Sequence, residues 1–383
     1  MFRFATATQI VFGWGALAEL PRHGRAFGSR VSLVVGQSAR HEPAVRSSLE
    51  NAGIHVDVSR VAGEPTVEDV LGLVEQARAA GSEWVIGLGG GSVLDAAKAL
   101  AALLANPGDP LEFLEVVGRG RPLERPPLPF IAVPTTAGTG AEVTKNAVLA
   151  STAHGVKVSL RSDAMLPRLA LVDPELTASK PPSLTAATGL DALTQVLEPF
   201  VSCQANPLTD ALSREGLRRG AVALRRAYHD GNDREARTDM ALVSLLGGLC
   251  LANAKLGAVH GFAGPIGGMF PAPHGAVCAR LLPGVVETNV AALRARAPDS
   301  PVLGRYAELA SILTGRVAAS PDDAAPWLRE LVTELQVPGL GRYGLSERDI
   351  PAVVAKAQRA SSMQGNPIVL SPDELAATLA AAI

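Results

Sequence analysis

Four side chains offer chemistry. Asp191 and Gln195 stand four apart, so on a helix they share one face, one turn apart. His260 and His274 fall in a single Gly- and Pro-rich stretch with apolar flanks. Together they present one carboxylate, one amide oxygen and two imidazoles. Carboxylate and imidazole suit Fe2+ or Zn2+, whereas a neutral amide oxygen is a poor transition-metal donor. Three strong donors and an open position form the catalytic rather than the structural metal pattern. Singly, each residue has an ordinary reading. An Asp near a helix start commonly caps it, and a His among apolar residues is commonly a satisfied core group. The combination points to a metal.

Two glycine-rich loops offer a second kind of chemistry. Gly89, Gly90, Gly91 and Ser92 separate a buried strand from a helix. Glycines there let backbone amides approach a phosphate, and the helix N-terminus adds favourable partial charge. The plain alternative is a tight turn that needs positive φ. Asp95, in the first helical turn, suits the dipole or a ribose contact. The second loop holds Thr135, Thr136 and Thr139 among glycines, again after a strand. In open α/β sheets ligands bind beyond the carboxyl ends of strands, so two such loops predict a dinucleotide crevice. Lys157 is a candidate phosphate partner. The first strand ends at Gly36, Gln37, Ser38, Ala39 and Arg40, with no acid to hold a ribose or repel a 2′-phosphate. Gly36 and Ser38 are therefore taken as cofactor contacts, and the tip permits NADP, with NAD also possible. Neither a GxGxxG nor a Walker A spacing is present.

The elements that position these residues follow from periodicity. Residues 31–35, 54–58, 84–86, 130–133 and 169–172 read as strands. Helical spacing covers residues 43–52, 66–80 and 93–104, and 146–160 read as a hairpin. Strands alternating with helices predict a parallel, Rossmann-like sheet covered on both faces. Residues 2–8 and 10–12 read as a further strand pair with exposed edges, able to join a partner's sheet and so to make a homodimer. From residue 184 onward helical periodicity dominates. Pro321 and Pro372 suit first helical turns, behind Ser320 and Ser371 as N-caps. The expected organisation is an α/β dinucleotide-binding domain over 1–178 and an all-α metal and substrate domain over 179–383.

Composition bounds the partners. Of 383 residues, 47% are hydrophobic and 19% charged, and the net charge is −2. That gives no field for nucleic acid or an anionic membrane. The apolar runs are too short or too interrupted to span a bilayer. Cys203, Cys250 and Cys278 have no paired spacing, which fits reduced thiols in the cytoplasm. The N-terminus has no signal-peptide pattern.

Several motifs in one order carry a resemblance along essentially the whole chain. They are Gly89-Gly-Gly-Ser-Val-Leu-Asp95-Ala-Ala-Lys98, Val133-Pro-Thr-Thr-Ala-Gly-Thr-Gly-Ala-Glu-Val143, Asp191-Ala-Leu-Thr, Asn253-Ala-Lys-Leu-Gly-Ala-Val-His260 and Pro273-His274-Gly. The chain resembles the iron-containing (group III) alcohol dehydrogenases. The resemblance implies the dehydroquinate synthase-like fold and metal ligands at Asp191, Gln195, His260 and His274, with the metal in the cleft between the domains. It also implies an NAD(P)-dependent oxidoreductase for small alcohols and aldehydes, with His260 and His274 at the reacting centre. The family pattern has His at the position of Gln195 and a further His at that of Gly264. These departures bring in the related maleylacetate reductases, whose type would be a metal-independent reductase of an acidic keto substrate.

Overall fold

The computed structural model describes residues 1–383 except Gly155 and Ser179. It divides into two compact units: 5–136 with 140–178, and 1–4 with 137–139 and the chain after 178. The expected boundary at 178/179 adjoins Ser179, outside the described residues.

The first unit is built on β1 (Gln9–Phe12), β2 (Arg30–Gly36), β3 (His55–Val61), β4 (Trp84–Gly89), β5 (Phe130–Pro134) and β8 (Leu169–Val172). The antiparallel hairpin β6 (Asn146–Ser151) and β7 (Val156–Arg161) forms a separate two-stranded sheet. The six strands form one parallel sheet in the order β1-β8-β5-β4-β2-β3. Its helices are α1 (Leu20–Gly24), α2 (Glu42–Asn51), α3 (Val67–Ala79) and α4 (Gly91–Ala105).

Strand side chains alternate between faces, and the core divides accordingly. Val34, Val85, Phe130 and Ala132 pack with Val70 and Val74 of α3 and Leu94 and Leu100 of α4. Leu33, Val35, Ile86, Ile131 and Val133 take the opposite face and pack with Leu20 of α1 and Val45 and Leu49 of α2. Both faces are covered, as a parallel sheet requires. A capping box starts α3, with Thr66 and Asp69 exchanging side-chain-to-backbone bonds.

The N-terminus departs from expectation. Residues 1–7 form no strand, so the N-terminal strand pair does not exist. Of this stretch Gln9–Phe12 alone is a strand, and it adds in parallel to β8. Alternating apolar residues suggest a strand, but the backbone adopts one only where a neighbour accepts its hydrogen bonds.

The second unit is helical: α5 (Pro182–Val201), α6 (Pro207–His229), α7 (Arg234–Asn253), α8 (Ala258–Met269), α9 (His274–Arg296), α10 (Pro301–Thr314), α11 (Ala324–Glu334), α12 (Ile350–Ala357) and α13 (Pro372–Ala380). α5 is buried along most of its length, with α6, α7 and α9 packed on it. Ser371 caps α13 in a box with Glu374, and Ser320 caps the 3-10 turn at Pro321 that leads into α11. Among the described residues one helix, α9, is by length and composition long and apolar enough to cross a bilayer, contrary to the expectation from the sequence. Its most apolar window is 72% buried inside the protein, so a core position accounts for its composition.

Candidate active site

In the α/β unit the chain runs from β2 out to β3 and then back to β4 on the other side of β2. Strand order therefore reverses between β2 and β4, the switch point at which doubly wound sheets bind ligands. Gly36 ends β2 and Ser38 follows it. Gly89 ends β4, Gly90 is the N-cap of α4, and Gly91 and Ser92 open that helix. Thr135 follows the neighbouring β5, and its N–H donates to Gly89 O at 2.9 Å. Three adjacent strand tips thus carry Gly36, Ser38, Gly89, Gly90, Gly91, Ser92, Thr135 and Thr136.

α4 begins two residues earlier than its periodicity predicts, so its unpaired first-turn amides belong to the glycine loop itself. None of Gly89, Gly90 and Gly91 has positive φ, so the tight-turn requirement is not what selects glycine here. Space is. A Cβ on Gly89 would lie 2.5 Å from Val93 Cβ, and one on Gly90 would lie 3.2 Å from Thr136 Oγ1.

Other candidates of this unit are committed to partners. Asp95 Oδ2 accepts from Val148 N on β6 at 3.1 Å and Oδ1 lies 3.5 Å from Lys98 Nζ. Lys157, on β7, is paired with Glu64 at 2.6 Å. Thr139 belongs to the helical unit with Ala137 and Gly138.

In the helical unit α5 carries Asp191, Gln195 and Glu198, α8 carries His260 and α9 opens with His274. Close backbone approach brings α9 to α5: a Cβ on Gly275 would lie 2.4 Å from Ala187 O. The first-turn amides of α8 are met by side chains, Ala258 N by Asn366 Oδ1 at 3.1 Å and Val259 N by Glu198 Oε1 at 2.7 Å. Glu198 Oε2 lies 2.6 Å from His260 Nδ1. That leaves His260 Nε2 directed at Asp191 Oδ1, 3.3 Å away, and His274 Nε2 lies 3.7 Å from the same oxygen.

Asp191 Oδ1 is buried and has no hydrogen-bond partner among the described residues; the two imidazoles are near it but not in hydrogen-bond geometry. A buried carboxylate oxygen without a donor is costly. Asp191, His260, His274 and Cys278 each offer one donor atom, all within 4.8 Å of one another. The donor set fits a divalent cation. Gln195 is buried on the same helix, and its Nε2 donates to Gly138 O at 2.8 Å. A Cβ on Gly264 would meet nothing within 4 Å, so no side chain fills that position.

The electrostatics agree. Burial opposes ionisation of Asp191, but His274, His260 and Cys278 outweigh it and hold the carboxyl below its ordinary range. Burial also opposes charging of His260, yet Cys278, Glu198 and Asp191 raise it well above its usual value. His274 is raised by Cys278 against burial, with help from Asp191. The cluster attracts positive charge. A bound cation would supply it and leave both rings neutral.

Two members were not singled out from sequence. Glu198 follows Asp191 by seven residues, two helical turns along the same face, and Cys278 follows His274 by four. Both spacings are visible in the chain.

A glycine-rich loop at the sheet's switch point and a buried cation-seeking cluster fit a metal-assisted, dinucleotide-dependent oxidoreductase. Residues 7–174 match the family model for iron-containing alcohol dehydrogenase, and residues 185–383 match its Fe-containing C-terminal region. The chain belongs to the iron-containing alcohol dehydrogenase family. It is 41% identical over 279 residues to long-chain-alcohol dehydrogenase 1 of Geobacillus thermodenitrificans, covering 72% of this chain and 70% of that protein. The solved structure of a 1,3-propanediol oxidoreductase superposes with a TM-score of 0.91 at 31% identity, covering 100% of both chains. The sulfoacetaldehyde reductase of Bifidobacterium kashiwanohense, solved with NAD+, gives 0.84 at 28% identity, covering 99% of this chain and 98% of that one. The chain is accordingly an oxidoreductase acting on CH–OH groups, an alcohol dehydrogenase or aldehyde reductase that uses a nicotinamide dinucleotide and a divalent metal.

Proposed function

We propose that the chain interconverts a small alcohol and its aldehyde or ketone with NADP(H), NAD(H) also serving, as a cytoplasmic homodimer. The orphaned Asp191 Oδ1, facing two imidazole nitrogens in a buried site, carries the metal-assisted reading.

Asp191, His260 and His274 would hold the cation, Fe2+ or Zn2+, with the amide oxygen of Gln195 on α5 as a weaker fourth donor. When bound, that ion polarises the substrate oxygen as a Lewis acid, and the nicotinamide gives or takes the hydride. Glu198 accepts a hydrogen bond from the Nδ1–H of His260, fixing the tautomer whose Nε2 can ligate. The α4 amides, with Ser92, Thr135 and Thr136, hold the phosphates, and Gly36 and Ser38 take the ribose beside β2. Thr139, Asp95 and Lys157 complete the proposed contacts, with Lys157 giving up Glu64 for a phosphate. Gly264 has no proton to pass, so a ribose hydroxyl or water serves as relay.

The absence of an acid at 36–40 supports NADP. Three free cysteines support a reducing compartment. β1 has β8 as its one sheet neighbour among the described residues, and its other edge supports pairing with a second copy.

The test is an aldehyde panel run with NADPH and NADH, before and after chelation and re-addition of Fe2+ or Zn2+. Turnover that falls on chelation and returns with metal is expected, with NADPH the better donor. Turnover indifferent to both treatments overturns the metal role. Equal or better use of NADH overturns the NADP preference, and light scattering of a monomer overturns the dimer.

A further inference from the structure

We propose that Cys278 is a direct metal ligand, so that the cation is held by Asp191, His260, His274 and a thiolate, a set that selects Zn2+ over Fe2+. This rests on the metal-assisted reading above. Buried free cysteines usually act as small hydrophobes. Cys278 is not in such surroundings. Its Sγ lies 3.8 Å from His260 Nε2 and 3.7 Å from His274 Nε2, and all three donors lie within 4.8 Å of Asp191's.

Four of the donor separations come close to those an ion would impose. Bonds of about 2.0–2.1 Å to oxygen and nitrogen and about 2.3 Å to sulfur place tetrahedral neighbours about 3.3 Å apart for N···O and about 3.5 Å for N···S. The observed N···O separations are 3.3 and 3.7 Å, and the N···S separations 3.7 and 3.8 Å. Cys278 Sγ is in hydrogen-bond reach of both imidazole nitrogens, and a cation at the centre of the set would replace those bonds with stronger ones to each donor.

The positioning is local and stiff. His274 and Cys278 are one turn apart on α9, so they share a face, and Gly275 seats that turn against α5. Cys278 and His260 are buried, while His274 is the most open member at 36% side-chain exposure. Gln195, in contrast, has its amide nitrogen committed to Gly138 O, and its neutral oxygen is a weak donor. Cys278 makes up that deficit from another helix. On coordination the thiol loses its proton to solvent and the thiolate takes its place on the ion, with no change of redox state. Thiolate is a soft donor and favours zinc over iron among the ions that carboxylate and imidazole accept. A fourth protein donor fills the position that three donors leave open, so substrate would have to bind as a fifth ligand or in place of His274, the most open member.

The experiment uses full-length protein loaded with Zn2+ for X-ray absorption and with Co2+ for visible and near-ultraviolet spectra. A sulfur shell at about 2.3 Å and a sulfur-to-cobalt charge-transfer band are expected. Cys278→Ser should abolish both and weaken Zn2+ binding by more than the roughly 10–100-fold typical of an outer-shell loss. Stoichiometric metal with only nitrogen and oxygen neighbours overturns thiolate ligation while leaving the metal reading intact. No bound metal overturns both. The wild-type spectra decide the matter even if the Cys278 variant does not fold.

Discussion

Glu198 Oε2 sits 2.6 Å from Nδ1 of His260 while its other oxygen takes the N–H of Val259 at 2.7 Å. One carboxylate therefore both starts α8 and selects the imidazole tautomer. Glu198→Gln keeps the shape but offers an amide N–H to Nδ1. The ring proton then moves to Nε2, the atom that faces Asp191, and ligation is blocked. Metal affinity, measured by competition with a chromophoric chelator, should fall roughly 10–100-fold, with the larger loss expected. Unchanged affinity would mean that Glu198 does not set the tautomer.

A buried pair in the α/β unit predicts a pH dependence of stability. Burial pushes Glu142 up from 4.5 to about 7, against the pull of Lys98. Lys98 is itself lowered by burial, though Thr144 Oγ1 at 2.8 Å and Asn146 O at 2.7 Å accept from its ammonium. For an acid raised in the folded state, the unfolded chain loses its proton first. The contribution of Glu142 to stability is then highest below about 4.5, falls as pH rises to about 7, and is flat above. Glu142→Gln should remove that slope and stabilise the protein above pH 7 by an amount on the order of 3 kcal/mol. Denaturant melts at several pH values test it; identical slopes in variant and wild type would count against a protonated Glu142.

Much of this was legible in the chain because burial leaves a period. The runs at β2, β4 and β5 are apolar on both faces, as strands of a covered parallel sheet must be. Ser371 with Glu374, and Pro372 behind the serine, mark a helix start by their own hydrogen-bonding chemistry. Asp191, His260 and His274 were legible by type. Cys278 was not, because the sequence signal of a cysteine is its spacing from other cysteines, while its relation here is to His274, one helical turn away. Glu198 was hidden because an acid within an amphipathic helix is ordinary until the neighbouring helix is known to place an imidazole on it. Residues 2–8 misled for the converse reason: they alternate like a strand, but β8 pairs only with Gln9–Phe12 on that side.

Gly275 is where sequence and site meet most tightly. A Cβ there would stand 2.4 Å from Ala187 O and 2.7 Å from its carbonyl carbon. Both are backbone atoms of α5, which cannot move aside as a side-chain tip can. Gly275→Ala must push α9 away from α5, taking His274 and Cys278 from Asp191. A cost of about 1–3 kcal/mol is expected, with weaker metal binding in the same variant. Loss of stability with unaltered metal affinity would show that α9 yields elsewhere than at the site.

Gly72 gives the opposite sign. It lies inside α3, on the exposed side of a helix whose Val70, Leu73 and Val74 are buried, and a Cβ on it would meet nothing within 4 Å. Glycine in a helix interior costs about 0.5–1 kcal/mol relative to alanine, chiefly through the freedom it gives the unfolded chain. Neither packing nor φ opposes the substitution, since Gly72 is not among the positive-φ glycines. Gly72→Ala should raise the denaturation midpoint by an amount corresponding to that range and leave turnover unchanged. A destabilised Gly72→Ala would require a neighbour at this face in solution, and light scattering of wild type and variant would show whether that neighbour is a second copy of the chain.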